Sequence, residues 1–169
     1  MMMIRLISAF LFTAAGAAAG AMLSQRLRDE REICRETGDV LRSSALQIRY
    51  RGADVYELST GLKNSRGFSS LTFLRHLPEQ YCCGENFHEG WRSALNKQTG
   101  IPDEERGILA RLGELLGTSD IEGQLSSISV LEDELSLIEA KREENYRRRG
   151  KLFRSVGVLA GAMTGILVI

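Results

Sequence analysis

Apolar residues recur at helical spacing through the middle of the chain, and the alternation of apolar and polar residues that is typical of strands is absent. The first apolar stripe consists of Leu27, Cys34, Leu41 and Ile48 at intervals of seven residues, seconded by Ile33, Val40 and Tyr50. This stripe predicts a long amphipathic helix that ends near Arg51, because a glycine follows it. No proline separates it from the start of the chain, so the helix can begin well before Leu27.

Four shorter helices are predicted between residues 54 and 117. The first runs from Asp54 to Lys63 and is followed by a turn at 64–67; the second is ended or kinked by Pro78. The third is capped by Asn86, and the fourth starts at Pro102, followed by three acids that favour a helix amino terminus. Their apolar positions are Val55, Leu58 and Leu62; Phe68, Leu71, Leu74 and Leu77; Phe87, Trp91, Ala94 and Leu95; and Ile108, Leu109, Leu112, Leu115 and Leu116. Gly117 ends the fourth.

A last long helix is predicted from a capping box formed by Ser119 and Glu122. Its stripe consists of Ile121, Leu125, Ile128, Leu131, Leu135 and Ile138, and no proline follows before the end of the chain. We expect the first and last helices to pack side by side in opposite directions, with Leu41 and Ile48 facing the region 125–135. The predicted fold class is therefore all-α, a bundle of about six helices.

The two ends of the chain carry almost no charge. Residues 6–25 hold no ionisable side chain, and residues 4–23 form about 20 residues or ~30 Å of helix, enough to cross a bilayer. Residues 152–169 give ~27 Å of helix if Arg154 snorkels. The sequence thus predicts an N-terminal transmembrane helix at 1–24, a helical domain at 25–151 and a C-terminal transmembrane helix at 152–169. A cleaved signal peptide is the alternative for the first segment.

Basic residues beside these segments predict their orientation. Four arginines follow the first segment, and seven bases precede or enter the second, which places the central domain in the cytoplasm and both termini outside. We assign a topology-fixing and anionic-lipid role to the bases Arg147, Arg148, Arg149, Lys151 and Arg154.

Small residues within the two segments predict close helix packing. They lie four residues apart at Gly16 and Gly20 in the first segment and at Gly157, Gly161 and Gly165 in the second. In lipid, close contact at small residues holds spans together, so these glycines are the predicted membrane-helix packing residues.

Composition and motifs favour a protein that is not an enzyme. Lys+Arg and Asp+Glu both number 22, so no excess charge favours nucleic acid as a partner. Motifs for phosphate, dinucleotide, zinc-protease and serine-hydrolase sites are absent, so no catalytic residue, cofactor or metal is predicted. His76, Cys82, Cys83 and His88 lie close in sequence, but adjacent cysteines cannot easily reach one tetrahedral ion. The acids at 103–105 and 132–134 are expected on solvated helix surface.

The last sixty residues resemble the stage III sporulation protein AB family of endospore-forming bacteria. The resemblance rests on LGxxLGxxD with a downstream glutamine, on a long charged helix, and on the pattern K-x-x-x-x-x-G-x-L-x-G in the final segment. The residues concerned are Leu112, Gly113, Leu116, Gly117, Asp120 and Gln124, and then Lys151, Gly157, Leu159 and Gly161. The layout and length of the whole chain are similar as well.

The resemblance implies a component of the sporulation channel complex on the mother-cell side of the outer forespore membrane. The family is similar to the cytoplasmic helical domains of F-type platform proteins in type II secretion and type IV pilus machines, whose partner is a motor ATPase. We therefore expect a two-pass membrane platform protein that contacts a cytoplasmic ATPase and other membrane components and is compatible with oligomerisation. A membrane-anchored helical signalling or interaction module, and a secreted helical binding protein, are the alternatives.

Overall fold

The structure is a computed structural model that describes the backbone of residues 2–81 and 86–168, and side chains at 11, 14–16, 18–81, 86–148 and 163. Over these ranges all regular secondary structure is helical, which confirms the predicted all-α class. The elements are α1 (Met2–Arg51), α2 (Val55–Asn64), a 3-10 helix (Thr72–His76), α3 (Phe87–Lys97), α4 (Asp103–Leu115) and α5 (Ile121–Val168). The chain divides into two compact units, one of residues 32–140 and one of residues 1–31 with 141–169.

Local chemistry explains where the short helices begin and end. Gly52, with φ +57°, stops α1 while its amide still donates to the carbonyl of Ile48 at 3.1 Å. Asp54 then caps α2, accepting from the amides of Tyr56 and Glu57, while the Glu57 carboxylate accepts from the amide of Asp54. This reciprocal pair satisfies amides that the first turn of a helix leaves without partners.

The core of the 32–140 unit joins both long helices to all the short ones. Its side chains are those of the predicted stripes, together with Phe73 and Ile101, which the stripes did not include. Trp91 is 1% exposed and meets Phe73 edge to face, with ring centroids 5.6 Å apart. Within this unit Gly38 of α1 lies so close to α5 that a Cβ atom there would be 3.4 Å from the Leu135 side chain. The contact shows that α1 lies against α5 at this level, and the antiparallel pairing of Leu41 and Ile48 with the region 125–135 stays a prediction.

The segment 68–77 differs from its prediction. All four predicted apolar residues are buried, but only the five residues Thr72–His76 form a helix, and that helix is of the 3-10 type. A spacing of three throughout (68, 71, 74, 77) matches the three residues per turn of a 3-10 helix better than the 3.6 of an α-helix. The prediction of a regular helix here was wrong in type and in length.

Three predicted burial states were also wrong. Tyr50 is 76% exposed, because it lies two positions beyond Ile48 and therefore on the opposite side of α1. Ile121 is exposed, since it is the first residue of α5 and lies at the end of the core stripe. Glu105 is fully buried although it belongs to an acidic run that we expected on solvated surface. Its position within α4 places it beside the core residues Ile108 and Leu109.

Candidate functional site: the paired ends of the two long helices

In the unit formed by residues 1–31 and 141–169, charged side chains join the two long helices directly. Arg142 of α5 donates to the carboxylate of Glu30 on α1 at 3.2 Å. One residue further along each helix, Arg31 Nε lies 2.5 Å from the carboxylate of Glu143. The Arg31 guanidinium also lies over the ring of Tyr146, 5.2 Å from its centroid. Each helix contributes one base and one acid, so the base of one pair is on α5 and the base of the other pair is on α1.

The two ion pairs differ in burial, and therefore in how strongly they hold α1 to α5. The side chains of Arg142 and Glu30 are 13% and 24% exposed, whereas those of Arg31 and Glu143 are 47% and 41% exposed. Exposed ion pairs contribute little because water and salt screen them, while a partly buried pair leaves a desolvated charge behind when one partner is removed. The Glu30–Arg142 pair is therefore the stronger constraint on sliding or rotation of α5 against α1 in this unit.

The α1 face that continues from these pairs toward the amino terminus is lined by small residues. Gly20 is buried, Ser24 is 4% exposed and Gly16 is half-buried. Their spacing of four residues keeps them on one face of the helix. Two of the predicted packing glycines thus lie on an inward-facing stripe, and Ser24 extends it.

The other predicted residues at the chain ends are distributed differently. Arg147 and Arg148 are exposed, and Arg148 pairs with Glu144 on its own helix at 3.1 Å. The side chains of Arg149, Lys151, Arg154, Gly157, Gly161 and Gly165 lie outside the described residues. In the part of the chain that the structure describes, no helix is both long enough and apolar enough to be a membrane span.

A glycine of the family motif lies against the one tryptophan in the chain. A Cβ atom at Gly113 would be 2.1 Å from Cδ1 of Trp91, closer than side chains approach one another. The Trp91 indole Nε1 donates to the carbonyl of Leu109 at 2.9 Å, and His88 Nδ1 lies 2.7 Å from the carbonyl of Gly113. The absence of a side chain at Gly113 is what allows α3 to pack this closely on α4.

The remaining motif residues build the turn between α4 and α5. Gly117 has φ +74°, and its amide donates to the side-chain oxygen of Gln124 at 3.0 Å. The Gln124 amide group in turn donates to the carbonyl of Ser119 at 2.8 Å. Asp120 caps α5 by accepting from the amide of Gly123 at 2.9 Å. The signature of glycines, aspartate and glutamine is therefore a packing and turn signature, with each polar group used inside the fold.

The predicted capping box of Ser119 and Glu122 was wrong. The residue that caps α5 is Asp120, and the Ser119 hydroxyl instead lies 3.5 Å from the Asp120 carbonyl. Ser and Asp are both good capping residues and are adjacent here, so the pattern by itself could not choose between them. Asp120 is the cap because the Gln124 side chain holds the Ser119 carbonyl within the turn.

A buried carboxylate that the sequence patterns missed anchors the 3-10 segment. Glu36 of α1 is fully buried and accepts from the amides of Ser69, Ser70 and Leu71 and from the Ser69 hydroxyl, at 2.8–3.1 Å. From the other side, Gln98 accepts from the amide of Phe73 and donates to the carbonyl of Ser70. A single acid on the inner face of a predicted helix was the available signal, but its partners lie 33 or more residues away.

The histidines and cysteines considered for a metal are not gathered into a site by the described residues. Cys82 and Cys83 lie outside those residues, while His88 is used against the Gly113 carbonyl. Among the side chains that the structure describes, no cluster of three or more histidine, cysteine, aspartate or glutamate residues could hold a metal ion.

These features define an all-helical protein: in one unit the two long helices are tied by cross-helix ion pairs, and in the other they pack with the shorter helices in one core. The family model of stage III sporulation protein AB matches residues 5–169, so the chain belongs to that family. This confirms the resemblance found in the sequence and links the protein to sporulation. No curated protein and no solved structure matches the chain.

Proposed function

We propose that this protein is a non-enzymatic membrane platform component of a secretion-like sporulation complex, and that it couples a cytoplasmic ATPase to membrane components of that complex. The bundle at 32–140 is the part that contacts the motor, and the two long helices carry its displacement toward the membrane. Family membership supports the sporulation role.

The observation that carries this proposal is the pairing of Glu30 with Arg142 and of Arg31 with Glu143. In the sequence both pairs lie just outside residues 32–140, and each joins α1 to α5. Two helices tied in this way move as one body, because sliding by one residue would separate both pairs. Such a connection suits a protein that transmits a change from a bundle to the helices that leave it.

The membrane part of the proposal rests on the charge distribution. All 22 acids and 20 of the 22 bases lie between residues 24 and 151, and bases flank both uncharged stretches. We expect the 64–67 turn to be protected from added protease in intact cells and cleaved in lysates. Cleavage in intact cells would place the domain outside and contradict the proposed orientation.

The coupling is tested by charge reversal in sporulating cells. Arg142→Glu and Glu30→Arg should each lower the yield of heat-resistant spores, because each places like charges in a partly buried position. The double variant should restore the yield, since it rebuilds the pair with its direction exchanged. Equal protein levels in the membrane fraction show that the variants are stably made.

The matched control is Arg92→Glu, which reverses one charge of an exposed ion pair between α3 and α4. It should sporulate normally, because that pair is screened by water. A motor ATPase should co-purify with the wild-type chain. If no ATPase co-purifies, or if the double variant is as defective as the single ones, the coupling proposal is wrong.

A further inference from the structure

Large apolar side chains are exposed on the outward faces of both long helices within the 32–140 unit. On α1, Leu46 and Tyr50 are 55% and 76% exposed; on α5, Val130 and Leu137 are 62% and 73% exposed. Leu46 and Tyr50 lie one turn apart on α1, and Val130 and Leu137 lie two turns apart on α5. Each pair is on the side of its helix opposite the core stripe. These four residues belong neither to the core nor to the ion pairs that join α1 to α5.

The charges around the two exposed faces have opposite signs. Residues 40–51 of α1 contain three arginines and no acid, whereas residues 121–140 of α5 contain five acids and no base. Within the described residues Arg49 and Asp133 form no ion pair, and Arg42 pairs only with Asp39, at 2.7 Å. We call residues 42–50 of α1 the basic face and residues 122–137 of α5 the acidic face.

The pairing of the long helices brings these faces to similar levels along the bundle. Gly38 lies against Leu135. Continuing from this contact in the predicted antiparallel direction places Leu46 level with about residue 127 and Arg42 level with about residue 131 of α5. The offset between Leu46 and Val130 is then about three residues or ~4.5 Å along the axis. Two copies that stand side by side in the same direction can therefore bring the basic face of one against the acidic face of the next.

We propose that the occupant of each face is a second copy of this chain, joined basic face to acidic face. Leu46 then packs near Val130, Arg42 lies near Asp133, and Arg49 lies near the exposed Glu122. Complementary charge of this kind selects one partner and one register, and the apolar side chains supply contact area. Because the two contacting surfaces differ, the association is head to tail and continues around a ring or along a row.

The decisive experiment uses the full chain in mild detergent and two variants with reversed charge. One variant reverses the basic face (Arg42→Glu with Arg49→Glu), and the other reverses the acidic face (Glu122→Arg with Asp133→Arg). Each variant alone carries two faces of the same sign, so its self-association measured by sedimentation should weaken at least about tenfold. An equimolar mixture should recover wild-type association, because every contact in it again joins opposite charges.

The control is Arg75→Glu, which reverses an exposed base outside both faces and should associate like the wild type. Recovery in the mixture excludes misfolding as the cause of the loss, and helix content measured by circular dichroism checks each variant alone. If both variants associate like the wild type, or if the mixture does not recover while both remain helical, the proposal is overturned.

A photo-crosslinking amino acid at position 46 provides an independent measurement in cells. We expect a product of twice the chain mass in which residue 46 is joined to the peptide that contains Val130. A product joined to another protein would assign the basic face to a different partner, and a product joining residue 46 to residue 46 would indicate a symmetric dimer; either result would overturn the head-to-tail arrangement. Neither outcome depends on the ATPase, so this proposal and the proposed coupling fail separately.

Discussion

Replacing Gly113 by alanine tests the claim that α3 and α4 touch without room for a single methyl group. The new Cβ would lie 2.1 Å from Trp91 Cδ1 and 2.4 Å from its Nε1. The indole cannot move aside cheaply, because it is 1% exposed, lies edge to face with Phe73, and donates to the carbonyl of Leu109.

The expected loss of stability follows from these contacts. Overpacking a closed core costs about 1–3 kcal/mol, and displacing the indole N–H from the Leu109 carbonyl adds about 1–3 kcal/mol if that buried donor loses its partner. Alanine gains about 1 kcal/mol over glycine in a helix interior. We therefore expect Gly113→Ala to lower the free energy of unfolding by about 1–5 kcal/mol.

The matched control lies on the same helix. At Gly107 a Cβ atom would meet nothing within 4 Å, so Gly107→Ala should raise the stability by up to about 1 kcal/mol through helix propensity alone. Both variants can be measured by urea unfolding of the full chain in detergent, followed by the fluorescence of Trp91, the single tryptophan. Equal stability of the two alanine variants would refute the reasoning, since it would mean that Trp91 does not confine position 113.

Three further substitutions probe other parts of the bundle. Glu36→Ala should lower the free energy of unfolding by about 1–3 kcal/mol, because it removes the acceptor of the amides of 69–71 and leaves the buried Leu71 amide without a partner; a loss below about 1 kcal/mol would contradict this role. Ser59→Ala should be neutral or should stabilise the fold by up to about 1 kcal/mol. Among the buried side-chain polar atoms that the structure describes, the Ser59 hydroxyl oxygen is the one without a hydrogen-bond partner. A clear loss of stability in urea unfolding would show that this hydroxyl has a partner. The hydrogen bond from Arg111 lowers the pKa of the Glu134 carboxyl, so their pair stabilises the fold above the ordinary glutamate pKa and loses this contribution as the pH falls through the lowered value. Arg111→Ala should return the pKa of Glu134 toward its ordinary value in an NMR titration. The accompanying loss in the free energy of unfolding should be only a few tenths of a kcal/mol, because the pair is exposed. An unchanged pKa would exclude the pair in solution.

The turn between α4 and α5 shows why a family signature need not mark a reactive site. Gly113 makes room for Trp91, Gly117 adopts a positive φ, Asp120 caps the next helix, and Gln124 bridges the turn. Each of these groups has a partner inside the fold. The signature therefore constrains how the helical hairpin closes, and the proposed function rests on the helix pairing instead.

The sequence by itself determined the elements that depend on neighbouring residues. Periodic apolar positions, Gly52 and the cap at Asn86 were enough to place α1, α2 and α3, because helix formation and capping act over about four residues. The core stripe of α5 from Leu125 to Ile138 was likewise correct, since a helix that packs along its length buries one face.

Only the tertiary structure decided which distant groups meet. The pairing of Glu30 with Arg142 joins residues 112 positions apart, and the Glu36 carboxylate finds its donors 33 to 35 positions away. Amphipathic spacing shows which face of a helix is buried, but it holds no information about which residue of another helix lies at the same level. That register follows from how the side chains of the whole core fill space together, and so does the need for glycine at position 113.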